Sequence, residues 1–149
     1  MEELLWEGFI CDFYDLSKYL RKEIAWDSVH KIRIKFLVDT GASKSIIPKD
    51  IIDGIRTLDL GETTAQGICD KPPRFKVVLS GIAIVLDNDL ATSIHEVLVP
   101  TETEVEKSIR KLLAPINASA ILGRLSMDVL NLRIDPQTSK PTKIPTLLL

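Results

Sequence analysis

A chain of 149 residues is long enough for a single domain with a sizeable core. Its 45% hydrophobic and 27% charged residues are ordinary globular usage, and with aromatics at 5% that core must be aliphatic. A net charge of -2 with the two signs interspersed offers no polyanion-binding surface, which argues against a nucleic-acid partner.

Trp6 to Tyr14 reads as a first strand, although Gly8 weakens it, and Leu16, Tyr19 and Leu20 suggest a short helix within Asp15 to Ala25. From Val29 to Val38 the alternation is clear: Val29, Ile32, Ile34 and Phe36 interleave with His30, Arg33 and Lys35, as in a half-buried strand. Pro48 to Ile52 looks like one helical turn with proline early, where it is tolerated. Gly61 to Pro73 is rich in turn residues and is expected to be a long hairpin. Phe75 to Leu86 and Ile94 to Val99 are strands, with Asp87-Asn88-Asp89 turning between them. Thr101 to Leu113 is the best helix. Val105, Ile109, Leu112 and Leu113 share a face, and Thr103 with Glu106 fits a capping box. A short strand at Ala120 to Gly123, a brief helix at Ser126 to Leu132 and a strand at Arg133 to Asp135 follow, with another strand expected at Ile144 to Leu149.

These elements describe a mostly β single domain over residues 1–149, with many short strands, a closed or folded-over sheet and a few small helices. Cys11 and Cys69 form no C-x-x-C pair, and His30 and His95 stand alone, so neither a metal site nor a disulfide framework is expected. The N-terminus from Met1 to Glu7 is acidic where a secretory leader is basic, and no apolar run reaches membrane-spanning length. A cytoplasmic protein with no membrane contact is expected. The glycosylation pattern Asn117-Ala118-Ser119 is then a chance match.

One stretch stands out. Phe36-Leu37-Val38 reads as a buried run and stops on Asp39, followed by Thr40-Gly41. A carboxylate ending a buried strand is costly unless paired or hydrogen-bonded. A lone Asp-Thr-Gly is commonly just a turn, its side chains bonding nearby N–H groups. Here it has context: small residues Ala42 and Ser43, then Ile46-Ile47, and much later Ala120-Ile121-Leu122-Gly123-Arg124 leading into a helix-like stretch.

In that order, with the hairpin between, these segments resemble the retropepsin-like, retroviral-type aspartic proteases over residues 29–135. Residues 1–28 form an N-terminal extension with no counterpart, and the helix from Thr101 to Leu113 looks like an insertion. Leu125 and Ser43 stand where such proteins often carry Asp. The resemblance implies a closed β-barrel acting as a symmetric homodimer on a peptide or protein substrate, with no cofactor and Asp39 catalytic. It makes Thr40, Gly41 and Ala42 the active-site loop and Ala65, Gln66, Gly67 and Ile68 the flap tip over substrate. Gly123 and Arg124 become structural or dimer residues.

The chemistry supports the pairing. Two facing carboxylates share a proton, so one activates water while the other polarises the carbonyl. No second copy exists in the chain: Leu58 to Thr63 has Leu60 after its acid, and Arg133-Ile134-Asp135 is followed by Pro136. A site with two acids therefore needs two chains. The competing reading is a non-proteolytic binding or scaffold dimer of the same fold. The intact Asp39-Thr40-Gly41 favours the enzyme. Arg124, following an apolar strand and glycine, is expected to be partly buried and paired with Asp128 or with an acid of the second subunit.

Overall fold

The computed structural model describes residues 4–64 and 72–144. In chain order they form β1 (Leu5–Cys11), α1 (Phe13–Leu20), β2 (Lys31–Val38), β3 (Ser45–Ile46), α2 (Lys49–Ile52), β4 (Leu58–Thr64), β5 (Arg74–Val85), β6 (Leu90–Pro100), α3 (Thr103–Leu113), β7 (Ala120–Leu122), α4 (Arg124–Val129), β8 (Leu132–Ile134) and β9 (Pro141–Lys143). The protein is mostly β, as its sequence implies. Among the described residues no helix is long and apolar enough to cross a membrane.

Six strands close into a barrel in the order β1-β2-β7-β3-β6-β5, with β5 returning to β1. Closure runs through the residue that most weakened the sequence reading. Gly8 pairs with Ile34 of β2 on one side and Ile84 of β5 on the other. A Cβ there would run into the Ala83 carbonyl and lie 2.9 Å from the Phe36 ring. Glycine at this position is what allows β1 to close the barrel.

β5 is long enough to serve two partners. Its C-terminal part, Gly81 to Ile84, pairs with β1, while Arg74 to Leu79 pairs with β4. β4 is thus an outer strand attached to the barrel through β5 rather than part of its wall. A bulge between Asp59 and Gly61 twists β4, with Gly61 at φ 109° and its N–H held by Asp59 Oδ1 at 2.8 Å. All seven residues of β4 are exposed.

The barrel interior holds Trp6, Ile10, Ile34, Phe36, Val38, Val78, Ile82, Val97 and Leu122 among others. Leu37 points the other way, yet it too is buried, because α3 lies over that face with Ile109 and Leu113. Coverage on both sides explains why Phe36-Leu37-Val38 reads as a continuous apolar run.

Several elements differ from expectation. Leu112 is 58% exposed: the packed face of α3 centres on Ile109 and Leu113, with Val105 alongside. The capping box is not formed, since Glu102 is the N-cap and its side chain accepts no cap hydrogen bond. Glu106 instead accepts from the Lys49 N–H, one of the free donors opening α2. α1 begins earlier than its apolar spacing suggests because Asp12 caps it, accepting from Asp15 N at 2.9 Å, and it ends before Lys22 at φ 65°. α4 starts at Arg124 rather than Ser126 and stops before Asn131, whose left-handed backbone at φ 57° turns the chain into β8. β9 pairs with β8 and was not foreseen. The strand expected at Ile144 to Leu149 lies outside the described residues except for Ile144, which is not in a strand.

Asp12 ties α1 to the loop after α2. It is 2% exposed and accepts from Arg56 Nε at 2.8 Å, Arg56 Nη2 at 3.1 Å and Arg56 N at 3.1 Å. Burial pushes its carboxyl up, but bonds from the Arg56 guanidinium and from the Asp15 and Arg56 N–H groups outweigh it and hold it below the usual value. A depressed folded value means the stabilisation is present above the unfolded value near pH ~4 and lost as pH falls below it. Asp12→Ala is expected to cost about 2 kcal/mol, lowering the melting temperature at neutral pH by about 4–8 °C.

Candidate active site

Asp39 sits one residue beyond β2, and its placement follows from the barrel. β7 lies between β2 and β3, parallel to the first and antiparallel to the second. The segment joining β2 to β3 must therefore loop across the end of β7. Asp39 N donates to Leu122 O at 2.9 Å and so prolongs the β2–β7 pairing by one residue. The chain then turns. Asp39 Oδ1 accepts from Gly41 N at 3.0 Å, and Asp39 O accepts from Ala42 N at 3.1 Å.

The return arm is clamped by the start of α4. Arg124 N donates to Ala42 O at 2.8 Å, Leu125 N to Ser43 O at 2.9 Å and Gly123 N to Ser45 Oγ at 2.9 Å. These are the free amide groups that open a helix, and here the Asp39 loop satisfies them. Gly123 is essential to the fit: a Cβ on it would lie 2.5 Å from the carbonyl carbon and oxygen of Lys44 and 2.9 Å from Ala42 O. The two sequence segments singled out above thus become one backbone unit.

Asp39, Thr40 and Gly41 are exposed and Ala42 is half-buried. The acid is therefore not buried in a single chain. Its Oδ2 takes no hydrogen bond among the described residues. Concavities of about 440, 410 and 390 Å³ open elsewhere on the surface, and Asp39 lines none of them. The carboxylate is presented outward on a rigid support. Ala65, Gln66, Gly67 and Ile68, expected to form a flap, lie outside the described residues, as does Cys69. Among the described residues no group of His, Cys, Asp or Glu side chains is placed to hold a metal ion.

Arg124 departs from expectation. Its side chain is exposed and pairs with no acid among the described residues, and Asp128, also exposed, is not its partner. Its backbone does the structural work through the bond to Ala42. Arg124→Ala is expected to shift the melting temperature of the isolated chain by less than about 2 °C, as for substitutions away from packed features.

Behind the loop lies a polar chain that the sequence did not reveal. Ser45 and Ser126 are fully buried and their hydroxyls meet at 2.5 Å. Ser126 Oγ lies 2.6 Å from Nε2 of His95, which is 6% exposed. Burial lowers the His95 pKa to about 4. His95 shares the inward face of β6 with Val97 and Val99, which pack in the barrel core. A histidine in phase with two inward valines was the available signal. No family model matches this chain, and no curated protein matches it either.

Proposed function

We propose that the chain is one subunit of a retropepsin-like aspartic endopeptidase whose active site is completed by Asp39 of a second copy across a two-fold axis. The observation that carries this reading is the Asp39 loop itself. A single exposed carboxylate, its Oδ2 without a hydrogen bond among the described residues, is held by β7 and α4 at the end of a barrel strand. The chain offers no second acid of this kind, and two-fold pairing supplies one.

Two such carboxylates at about 3 Å cannot both ionise easily, so they hold one proton between them. The ionised Asp39 takes a proton from a water lying between the acids while that water's oxygen bonds to the peptide carbonyl carbon. The protonated Asp39 stabilises the carbonyl oxygen. Collapse of the tetrahedral intermediate breaks the C–N bond, and a proton passed to the amine leaves the two peptide products. Gly41 lets substrate backbone approach the acid, and Thr40 bonds across to the second copy's loop. In this reading residues 65–68, between β4 and β5 in the chain, act as the flap over an extended peptide or protein segment. No cofactor takes part. The exposed Arg124 head stands beside the loop, available to an acid of the second copy.

The test is cleavage of an unfolded protein substrate from acidic to mildly basic pH. A dyad titrates as a pair with separated apparent values, so the rate should trace a bell on the acidic side of neutral. A rate still rising through pH ~8 indicates another base and overturns the reading. Absence of cleavage at every pH by a protein shown to be dimeric leaves a binding or scaffold role instead.

A further inference from the structure

The polar chain behind the Asp39 loop has a direction. Gly123 N–H donates to Ser45 Oγ, so the Ser45 hydroxyl must send its own proton onward, and Ser126 Oγ is its only acceptor among the described residues. Pairing every buried proton then has Ser126 donate to Nε2 of His95, 2.6 Å away. The ring therefore accepts at Nε2 and carries its proton on Nδ1, which faces Ser93 Oγ at 3.3 Å. In this arrangement each linking hydroxyl donates once and accepts once, and nothing buried is left unpaired.

A proton on Nε2 reverses the chain. The imidazolium donates from both nitrogens, so Ser126 accepts from the ring, and Ser45 and Ser126 are left with two hydroxyl protons and one shared hydrogen bond to place them in. When Ser126 turns its proton to Ser45, which already accepts from Gly123, the Ser45 proton has no acceptor among the described residues at a fully buried position. An unpaired buried donor is penalised, and the relief available is rotation of Ser45 away from Gly123. That bond is one of three holding the Asp39 loop to α4.

We propose that neutral His95 is a positioning residue for the Asp39 loop, acting through Ser126 and Ser45 on Gly123, and that its protonation releases this seam. The effect on cleavage rests on the protease reading above; the seam itself does not. Among the described residues no ionisable group faces the ring. β5 presents the buried Ser80 opposite it, α4 presents Ser126, and its own strand presents Ser93. Lys44 and Glu96, the charges nearest in sequence, bond to each other at 2.7 Å, with Glu96 on the other face of β6. Asp15 of α1 is engaged by Arg56, Lys49 and Asp50 of α2 by Asp53 and Arg110, and Glu106 of α3 by the Lys49 N–H. Burial alone sets the ring's titration, lowering it from 6.5 to about 4. The switch therefore falls in the acidic range where a carboxylate dyad works.

Amide exchange at Gly123, followed by NMR on the intact protein and corrected for the chemical rate, reads the seam directly. Between pH 6.5 and 4, its protection in wild type should fall by about tenfold or more. It should stay level in His95→Gln, whose side-chain oxygen still accepts from Ser126 but takes no proton. Level protection in wild type, or an equal fall in His95→Gln, overturns the proposal whether or not the protein cleaves peptides, and the wild-type measurement needs no variant to fold. In the cleavage assay, kcat of His95→Gln should persist to lower pH than wild type with KM unchanged. An unmoved acid limb overturns the control of cleavage by His95. A seam that titrates as expected in a protein that cleaves nothing refutes the protease reading alone.

Discussion

Replacing Asp39 by Asn is expected to remove about 10³-fold or more of the cleavage activity, and to remove wild-type activity in trans. The first effect follows from the chemistry: an amide neither takes a proton from water nor shares one. The second follows from the geometry. Asp39 is exposed, lines none of the described concavities, and its Oδ2 takes no hydrogen bond among the described residues, so in the proposed reading a single chain presents half of a site. When a fixed amount of wild type exchanges subunits with an equal amount of Asp39→Asn, random pairing captures about half of its chains in heterodimers with one acid. Activity should fall to about one half, and to about one tenth at ninefold excess. Fold and surface are otherwise unchanged, since Asn still accepts the Gly41 N–H through its side-chain oxygen. Activity that ignores added Asp39→Asn, or that scales strictly with concentration on dilution, would place a complete site in one chain.

The Asp39 loop and its support were partly legible in the sequence because the two segments that form them are short and continuous. Phe36-Leu37-Val38 could be read as a strand because both of its faces are covered, one by the barrel interior and one by α3. Ala120-Ile121-Leu122-Gly123 could be read because β7 is buried throughout. That these two segments lie side by side is a matter of pairing across more than eighty residues of chain, and no local pattern encodes it. The barrel's closure was hidden for a related reason. Gly8 looks like a break in a strand to any reading of propensity, while in three dimensions it is where two neighbours crowd one backbone.

The misread residues share a cause as well. Glu106 and Arg124 were each assigned a partner a turn away on their own helix, the nearest acceptable one in sequence. Glu106 instead serves the Lys49 N–H on another element, and Arg124 contributes its backbone to the Ala42 carbonyl while its head stays in solvent. His95 looked isolated because Ser126, which bonds its Nε2, is thirty-one residues after it and Ser45, the next link, fifty before it, and serines carry no signal until their burial is known. Asp12 is a further case: its cap on α1 is local, but the Arg56 that makes it a junction is 44 positions on.

The strongest structural prediction concerns the glycine that joins the two halves. Gly123→Ala is expected to destabilise the protein by about 3 kcal/mol or more, lowering its melting temperature by about 10 °C, and to lose activity beyond that. Its backbone, at φ -95° and ψ 179°, is open to any residue, so the cost is purely one of space. The added Cβ would lie 2.5 Å from both the carbonyl carbon and the oxygen of Lys44 and 2.9 Å from Ala42 O. All three are backbone atoms, so no side chain can rotate aside. Relief requires the return arm to move away from α4, which loosens the bonds from Gly123, Arg124 and Leu125 that hold it. The arm begins three residues after Asp39, so the displacement reaches the carboxylate. Gly41→Ala is the control. Its Cβ would meet only Asp39 Oδ1, at 3.2 Å, at an exposed position. It should leave the melting temperature nearly unchanged while lowering activity through the carboxylate it crowds. A Gly123→Ala protein that melts like wild type would show that the loop and α4 are not the single unit their hydrogen bonds describe.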